Sequence, residues 1–124
     1  MRFLDSNILA YAFYNNEHIL KCQKAIIDGG ITDTFNLVEA FFIIEKETGS
    51  RESAQKSIRG LLKSNLTIIE VDVNLIFESL RRISRTRLSI FDSVHYNCAL
   101  INGCTAILSY DKDFDNMEIP RIEP

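Results

Sequence analysis

The sequence predicts an α/β protein in which helices cover both faces of a central, mainly parallel sheet of four to five strands, a three-layer α/β/α sandwich. Short apolar runs alternate along the chain with segments of helical periodicity, and strands that alternate with helices are joined by right-handed crossovers. The length of 124 residues, with 46% hydrophobic and 25% charged residues, is typical of one globular domain. We therefore expect a single domain over residues 1–124.

The first 49 residues contain two predicted strands and two predicted helical regions. Apolar runs bounded by turn-forming residues predict the strands, and apolar residues at spacings of three and four that stop at glycine predict the helices. In order, the elements are a strand at 2–4, a helix from Ile8 that breaks at Asn15-Asn16 and resumes from Ile19 to Gly29-Gly30, a strand at Ile31–Thr32, and a helix capped by Asp33 or Thr34 that ends at Thr48.

The same alternation continues over residues 50–124. Serine and aspartate are favourable helix caps, and β-rich runs between helices predict further strands. In order, the elements are a helix from Ser50 through Leu62, a strand from Leu66 to Val71, a helix from Asn74 to Ile83, a helix from Ile90 to Ile101 that Gly103 ends, a strand from Thr105 to Ser109, and an edge strand at Arg121–Glu123.

Four acidic residues are expected at one edge of this sheet. Asp5 and Asp111 each follow a predicted strand, and α/β sheets bind ligands at the carboxyl ends of their strands. Glu39 and Asp92 lie near helix starts among large apolar residues, where an acid needs a partner. The sequence therefore predicts that these four carboxylates converge in one pocket.

Clustered carboxylates repel one another, and a hard divalent cation removes that cost. We therefore predict a site for Mg²⁺ or Mn²⁺, with two ions when a phosphodiester substrate is bound, and Asp113 as a further candidate ligand. Asp5 and Asp92 are assigned to the principal ion, completed by Glu39, and Asp111 to the second ion or the attacking water. Ser6 and Asn7 are expected to cap the following helix and orient Asp5, and Ser109 to hydrogen-bond an acid or a phosphate.

Four motifs, FLDSN, NLVEAFF, FDSVHYNCAL and LSYDKDF, together resemble the PIN-domain family over the whole chain. The resemblance implies an α/β/α metal-dependent ribonuclease related to the 5′-nucleases, often the VapC-type toxin of a toxin–antitoxin pair. By position, it implies Asp5, Glu39, Asp92 and Asp111 as the catalytic acids, with Asn7 and Ser109 in support; Ser6 stands where many members have threonine. It also implies a homodimer and an antitoxin that covers the acidic pocket. Both toxins and housekeeping RNA processors share these acids, so the RNA substrate stays open.

The segment RRISRTR supplies candidate RNA-binding residues, Arg81, Arg82, Arg85 and Arg87, to which we add Lys112 beside Asp111. A solvated cationic helix end is an equal alternative for the arginines.

Other aromatic and histidine residues have structural interpretations. His95, three residues after Asp92, is expected to pack or cap rather than to take part in catalysis, and His18 to lie at the surface. Tyr11 and Tyr14 are interface candidates, although an amphipathic helix edge explains them as well. Five phenylalanines are expected in the core rather than as base-stacking platforms: Phe3, Phe13, Phe35, Phe41 and Phe42.

Composition and motif logic exclude several classes. No apolar run reaches the roughly 18 residues of a membrane span and no signal peptide is evident, so a cytoplasmic protein is expected, with Cys22, Cys98 and Cys104 as buried thiols. The net charge of -3 argues against a protein that coats nucleic acid.

Two other functions are weighed against the nuclease. A haloacid-dehalogenase-type phosphatase would need an aspartate where Asn7 stands. A PIN fold retained for RNA or protein binding, with its metal lost, stays as the non-enzymatic alternative, although the intact acids weigh against it.

Overall fold

Five parallel strands form one sheet in the order β3-β2-β1-β4-β5 in the computed structural model, which describes all residues from 1 to 124. This confirms the parallel sheet that the sequence predicts. Phe3 in β1 is in register with Ile31 of β2 and Ile107 of β4, so β1 lies at the centre. The strands are β1 (Arg2–Leu4), β2 (Gly30–Asp33), β3 (Leu66–Ile69), β4 (Ala106–Leu108) and β5 (Arg121–Ile122).

Six α-helices surround the sheet, and most begin at a capping side chain. The N-cap carboxylates of Asp5, Asp33 and Asp72 and the hydroxyls of Ser50 and Ser89 each accept a hydrogen bond from a backbone N–H of the first turn. The helices are α1 (Ser6–Tyr11), α2 (Ile19–Asp28), α3 (Thr34–Thr48), α4 (Arg51–Leu62), α5 (Val73–Arg82) and α6 (Ile90–Ile101); single 3₁₀ turns occupy Ile83–Arg85 and Lys112–Phe114.

Two cores lie on opposite faces of the sheet. Successive strand residues point to opposite faces, so Leu4 belongs to a core shared with α1 to α4, whereas Phe3 belongs to a core shared with α5 and α6. This arrangement confirms the three-layer α/β/α sandwich. No helix combines the length and apolar character that a membrane crossing requires.

Gly30 allows β2 to lie close against β1. A Cβ atom at this position would lie 2.6 Å from the carbonyl oxygen of Arg2, and the residue has a φ of +139°. Only glycine tolerates both conditions. Glycine at this position therefore permits the close pairing of β2 with β1.

The structure corrects some element boundaries and one core assignment. Helix α1 begins at Ser6 because Asp5 itself is the N-cap, so the expected capping role of Ser6 and Asn7 is wrong. Strand β3 ends at Ile69 rather than at Val71. Phe42 is 72% exposed on the outer face of α3, and so it is not a core residue.

Several other local expectations are confirmed. Phe3 is fully buried, and Phe13, Phe35 and Phe41 are partly buried against the two cores. The three cysteines are buried and free of disulfides. The break that Asn15-Asn16 predicts is present between α1 and α2, where the side-chain amide of Asn16 donates hydrogen bonds to the carbonyl oxygens of Tyr11 and Tyr14.

Candidate active site

Asp5 is buried at the carboxyl end of the central strand β1, and hydrogen bonds hold both of its carboxylate oxygens. Oδ1 accepts from the backbone N–H of Ser6 at 2.8 Å. Oδ2 accepts from the hydroxyl of Ser109 at 2.6 Å and from the amide of Asn7 at 3.3 Å. Burial raises the pKa of Asp5, and the hydrogen bond from Ser109 offsets only part of that increase. The carboxylate is therefore fixed in orientation and is costly to ionise without a cation.

Ser109 connects Asp5 to the next strand end. Its Oγ donates to Asp5 and accepts the backbone N–H of Asp111 at 2.9 Å. Asn7 completes the connection, because its Oδ1 accepts the backbone N–H of Tyr110 at 3.3 Å. The ends of β1 and β4 are thus joined by side chains as well as by the sheet.

Three carboxylates form a compact group beside Asp5. Oxygen atoms of Asp92, Asp111 and Asp113 all lie within 4.8 Å of one another. Asp111 caps the 3₁₀ turn that follows β4, and its Oδ1 accepts the backbone N–H of Asp113 at 2.9 Å, so these two acids share one side of the turn. Asp92 reaches them from the first turn of α6, whose N-cap is Ser89.

The electrostatics of Asp92 show how closely the acids approach. Burial raises its pKa to about 6, and the negative charges of Asp5 and Asp111 add to that increase, followed by a smaller contribution from Glu39. No lysine, arginine or histidine forms an ion pair with Asp5, Asp92, Asp111 or Asp113; Glu39 differs, because it pairs with His95. Hard oxygen donors that repel one another and lack a paired cation are the ligand set that Mg²⁺ or Mn²⁺ prefers. The residues present therefore fit the divalent ion.

Glu39 has a different environment from the other acids. It lies in the second turn of α3, and its Oε1 lies 2.5 Å from Nε2 of His95. The opposite ring nitrogen, Nδ1, lies 2.7 Å from Oδ2 of Asp33. Because a carboxylate oxygen faces each ring nitrogen, the imidazole donates two hydrogen bonds and carries a positive charge. Burial by itself would lower the pKa of His95, but the hydrogen bonds to Asp33 and Glu39 outweigh it and raise the pKa to about 10.

The structure thus brings together Asp92, Asp111 and Asp113, and it places Asp5 and Glu39 next to that group rather than within it. Sequence reasoning missed Asp33 as a neighbour of the site, because a helix cap explains it fully. Its Oδ1 does cap α3, by accepting the backbone N–H of Asn36 at 2.8 Å. One signal in the sequence could have indicated it: Asp33 lies at the end of β2, as Asp5 lies at the end of β1, and both strand ends are at the same edge of the sheet.

The basic candidates divide into separate groups. Arg81 pairs with Glu78 on the exposed side of α5, with both N–O distances at 3.2 Å. Arg82 lines a small pocket of about 140 Å³ with Arg85. A larger groove of about 580 Å³ is lined by Arg85, Arg87, Lys112 and Asp113 together with loop residues. This groove borders the acid group through Asp113.

An aromatic cluster supports the end of α1. The rings of His18 and Tyr110 stack with centroids 4.1 Å apart, and Tyr11 packs against both. His18 is therefore half-buried, contrary to the surface position expected for it. Tyr11 and Tyr14 are partly buried against the core on this face.

The fold and site together define a class: an α/β/α protein with a cluster of acidic residues at the carboxyl edge of a parallel sheet. The sequence model of the PIN domain matches residues 2–120. The chain therefore belongs to the PIN-domain family.

Two solved structures illustrate the shared fold. VapC20 of Mycobacterium tuberculosis, described as a toxin that cleaves the sarcin–ricin loop, superposes with a TM-score of 0.84 at 14% identity over 100% of both chains. A chain of a toxin–antitoxin complex from Klebsiella pneumoniae gives a TM-score of 0.73 at 13% identity, over 97% of this chain and 95% of that one. Among curated proteins no match is found.

Proposed function

We propose that this protein is a metal-dependent endoribonuclease and the toxin of a VapBC-type toxin–antitoxin pair. The observation that carries the proposal is the group of Asp92, Asp111 and Asp113 beside the buried Asp5, with no basic residue paired to it, in a PIN fold. The likeness in fold to the two toxin structures supports the biological role. The main alternatives are a housekeeping RNA-processing nuclease and a PIN fold that only binds RNA or protein.

In this proposal each acid has its own task. When bound, Mg²⁺ or Mn²⁺ polarises the phosphate and lowers the pKa of water. Asp92, Asp111 and Asp113 hold the ions, because their oxygens converge and no lysine or arginine pairs with them. Asp5 is an immobile ligand or hydrogen-bond acceptor at the base of the pocket, since Ser6, Asn7 and Ser109 fix both of its oxygens. Preorganised charges of this kind need no rearrangement during the reaction.

We propose that the RNA backbone runs along the groove that Asp113 borders. Arg85, Arg87 and Lys112 line it, and none of the three forms an ion pair with a carboxylate. Cationic side chains that are free in this way are available for phosphate oxygens. A strand whose scissile phosphate lies at the acid group would then place a neighbouring phosphate in the groove.

Exposed apolar side chains beside the pocket support a protein partner. Val38, Phe42, Ile43 and Phe91 line a shallow depression together with Glu39, and Phe42 and Phe91 are 72% and 52% exposed. Exposed apolar surface of this kind marks interaction sites. We propose that the antitoxin covers this depression and so blocks access to Glu39.

A second apolar surface lies on α5, where Val73, Phe77 and Leu80 are exposed along one side. We propose it as the homodimer interface. In an antiparallel pair of these helices, the acidic N-terminal end at Asp72 would face the arginines at the partner copy's C-terminal end.

The test is an RNA-cleavage assay on the purified protein, freed of any partner, in Mn²⁺, Mg²⁺ or EDTA. The proposal expects cleavage that needs the metal and disappears in Asp5→Asn and Asp92→Asn variants. Equal cleavage by the wild type and both variants would indicate contamination. No cleavage by the wild type in either metal would favour the binding-module alternative.

A further inference from the structure

We propose that His95 is a positioning residue for Glu39: held at Nδ1 by Asp33, it donates from Nε2 to Oε1 of Glu39 and leaves Oε2 free to act as a metal ligand beside the other acids. The inference rests on the proposed metal-dependent nuclease. It assigns to a buried histidine a task in the site that goes beyond packing.

The histidine is rigidly held. Its side chain is 1% exposed, and the side chain of Asp33 on which it rests is 0% exposed. Asp33 is fixed in turn, because its other oxygen caps α3 through the N–H of Asn36. The ring therefore has one orientation, and that orientation is set by residues at the end of β2 and the start of α3.

Glu39, by contrast, depends on the histidine. Its side chain is 34% exposed and makes no hydrogen bond in the protein other than the one to His95. A free glutamate side chain has several rotamers, and ordering it costs free energy. The hydrogen bond from Nε2 selects one rotamer, in which Oε1 is occupied and Oε2 has no protein donor.

The charge on the imidazole also suits the site. His95 is the cationic group whose charge lowers the pKa of both Asp5 and Asp92, while Glu39 raises both, so the four groups act on one another. Partners that orient a metal ligand in this way typically change metal affinity or activity by about 10- to 100-fold when they are replaced.

A double-mutant cycle on Mn²⁺ affinity separates this role from a structural one. Mn²⁺ binding is measured by calorimetry for the full chain as wild type, His95→Gln, Glu39→Gln and the double variant, without RNA. Glutamine at 95 retains an amide donor, and glutamine at 39 retains the shape of glutamate. We expect His95→Gln to weaken Mn²⁺ binding about tenfold. In the Glu39→Gln background it should change the affinity by less than about twofold, because the residue through which it acts is gone.

A second route avoids the buried histidine itself. Asp33→Asn removes the charge that holds Nδ1 without contacting Glu39, and the amide is still a favourable helix cap. The Asp33→Asn and Glu39→Gln cycle should show the same non-additivity. If His95→Gln does not fold, this cycle decides the question.

The proposal is overturned if either substitution weakens Mn²⁺ binding by the same factor with and without Glu39, or leaves the wild-type affinity unchanged. A wild-type protein that binds no Mn²⁺ overturns it as well. If the protein binds Mn²⁺ with the predicted non-additivity but cleaves no RNA, the positioning role of His95 stands and the proposed ribonuclease function is wrong. The two failures are therefore distinguishable.

Discussion

Nδ1 of His95 lies 2.7 Å from Oδ2 of Asp33, a carboxylate 62 positions earlier in the chain, and both side chains are almost fully buried. This contact joins α6 to the end of β2 beneath the acidic pocket. Together with Glu39, these two residues form a charged cluster at the edge of the core. The stability of the protein and the orientation of Glu39 depend on it.

Replacing the histidine should destabilise the protein strongly. In His95→Ala, the buried Asp33 would lose its cationic partner, and removing one member of a buried ion pair costs about 3–5 kcal/mol. Urea unfolding of the metal-free protein measures the difference. The double variant Asp33→Asn/His95→Ala, which buries no unpaired charge at residue 33, should recover part of the loss. A double variant less stable than His95→Ala would show that charge is not the cause.

Asp92→Asn should separate stability from function. Without bound metal, the wild-type carboxylate is half-buried and is repelled by Asp5 and Asp111. The variant should therefore unfold at an equal or higher temperature in EDTA, while Mn²⁺-dependent cleavage falls by at least about 100-fold. The control is Glu47→Gln, which replaces an exposed acid on α3 and should leave both quantities unchanged. Lower stability of Asp92→Asn in EDTA would contradict the repulsion argument.

The stability of the metal-free protein should fall as pH rises from about 4 to about 6. The folded-state pKa of Asp92 is about 6, above its usual 3.8, so in this range the folded protein binds more protons than the unfolded chain. Stability from such a group is lost as pH rises through the folded value. His95, raised from 6.5 to about 10, adds a further loss above about pH 6.5 for the same reason. Melting temperatures in EDTA across both pH ranges measure the two contributions.

Two comparisons isolate the contribution of Asp92. The Asp92→Asn variant should show a smaller decrease between about pH 4 and 6, where the raised pKa of Asp5 also contributes, and should retain the decrease above about pH 6.5 that His95 causes. Saturating Mn²⁺ should remove the decrease between about pH 4 and 6, because a bound cation keeps the carboxylates ionised. An unchanged slope in Asp92→Asn would assign the titration to another group.

Alanine in place of Arg87 or Lys112 should weaken RNA binding through lost phosphate contacts. The logarithm of the affinity falls linearly with the logarithm of the salt concentration. For single strands, each lost contact makes this slope less steep by about 0.7. Binding of labelled RNA is measured in an Asp92→Asn background, in which cleavage is blocked. Arg81→Ala is the matched control, because Arg81 pairs with Glu78 and lies outside the groove. Equal losses in Arg81→Ala would indicate general electrostatic attraction instead of a path along the groove.

Phe77→Asp should convert a dimer into a monomer, because it places a charge in the centre of the exposed stripe on α5. Light scattering at several protein concentrations gives the mass directly. Phe42→Asp is the control, since it changes another exposed phenylalanine, on α3. If Phe42→Asp dissociates the dimer and Phe77→Asp does not, the two apolar surfaces have the opposite assignment.

Local signals in the sequence determined the strands, the helices and most of their ends. Apolar periodicity is a property of neighbouring residues, and so it predicted both the break at Asn15-Asn16 and the parallel sheet. Asp5 and Asp111 could be placed at one sheet edge for the same reason, because Asp5 directly follows β1, Asp111 lies shortly after β4, and parallel strands end at one edge.

Only the tertiary structure decided which distant groups meet. Asp33 caps a helix and also supports His95, and the second role depends on how α6 packs against β2. Arg81 pairs with Glu78 whereas Arg85 and Arg87 line the open groove, and this difference depends on the path of the chain after α5. Phe42 faces solvent because α3 uses its other face for packing. Periodicity specifies that a helix has an apolar side, but contacts between segments far apart in the chain arise from packing, which no local pattern encodes.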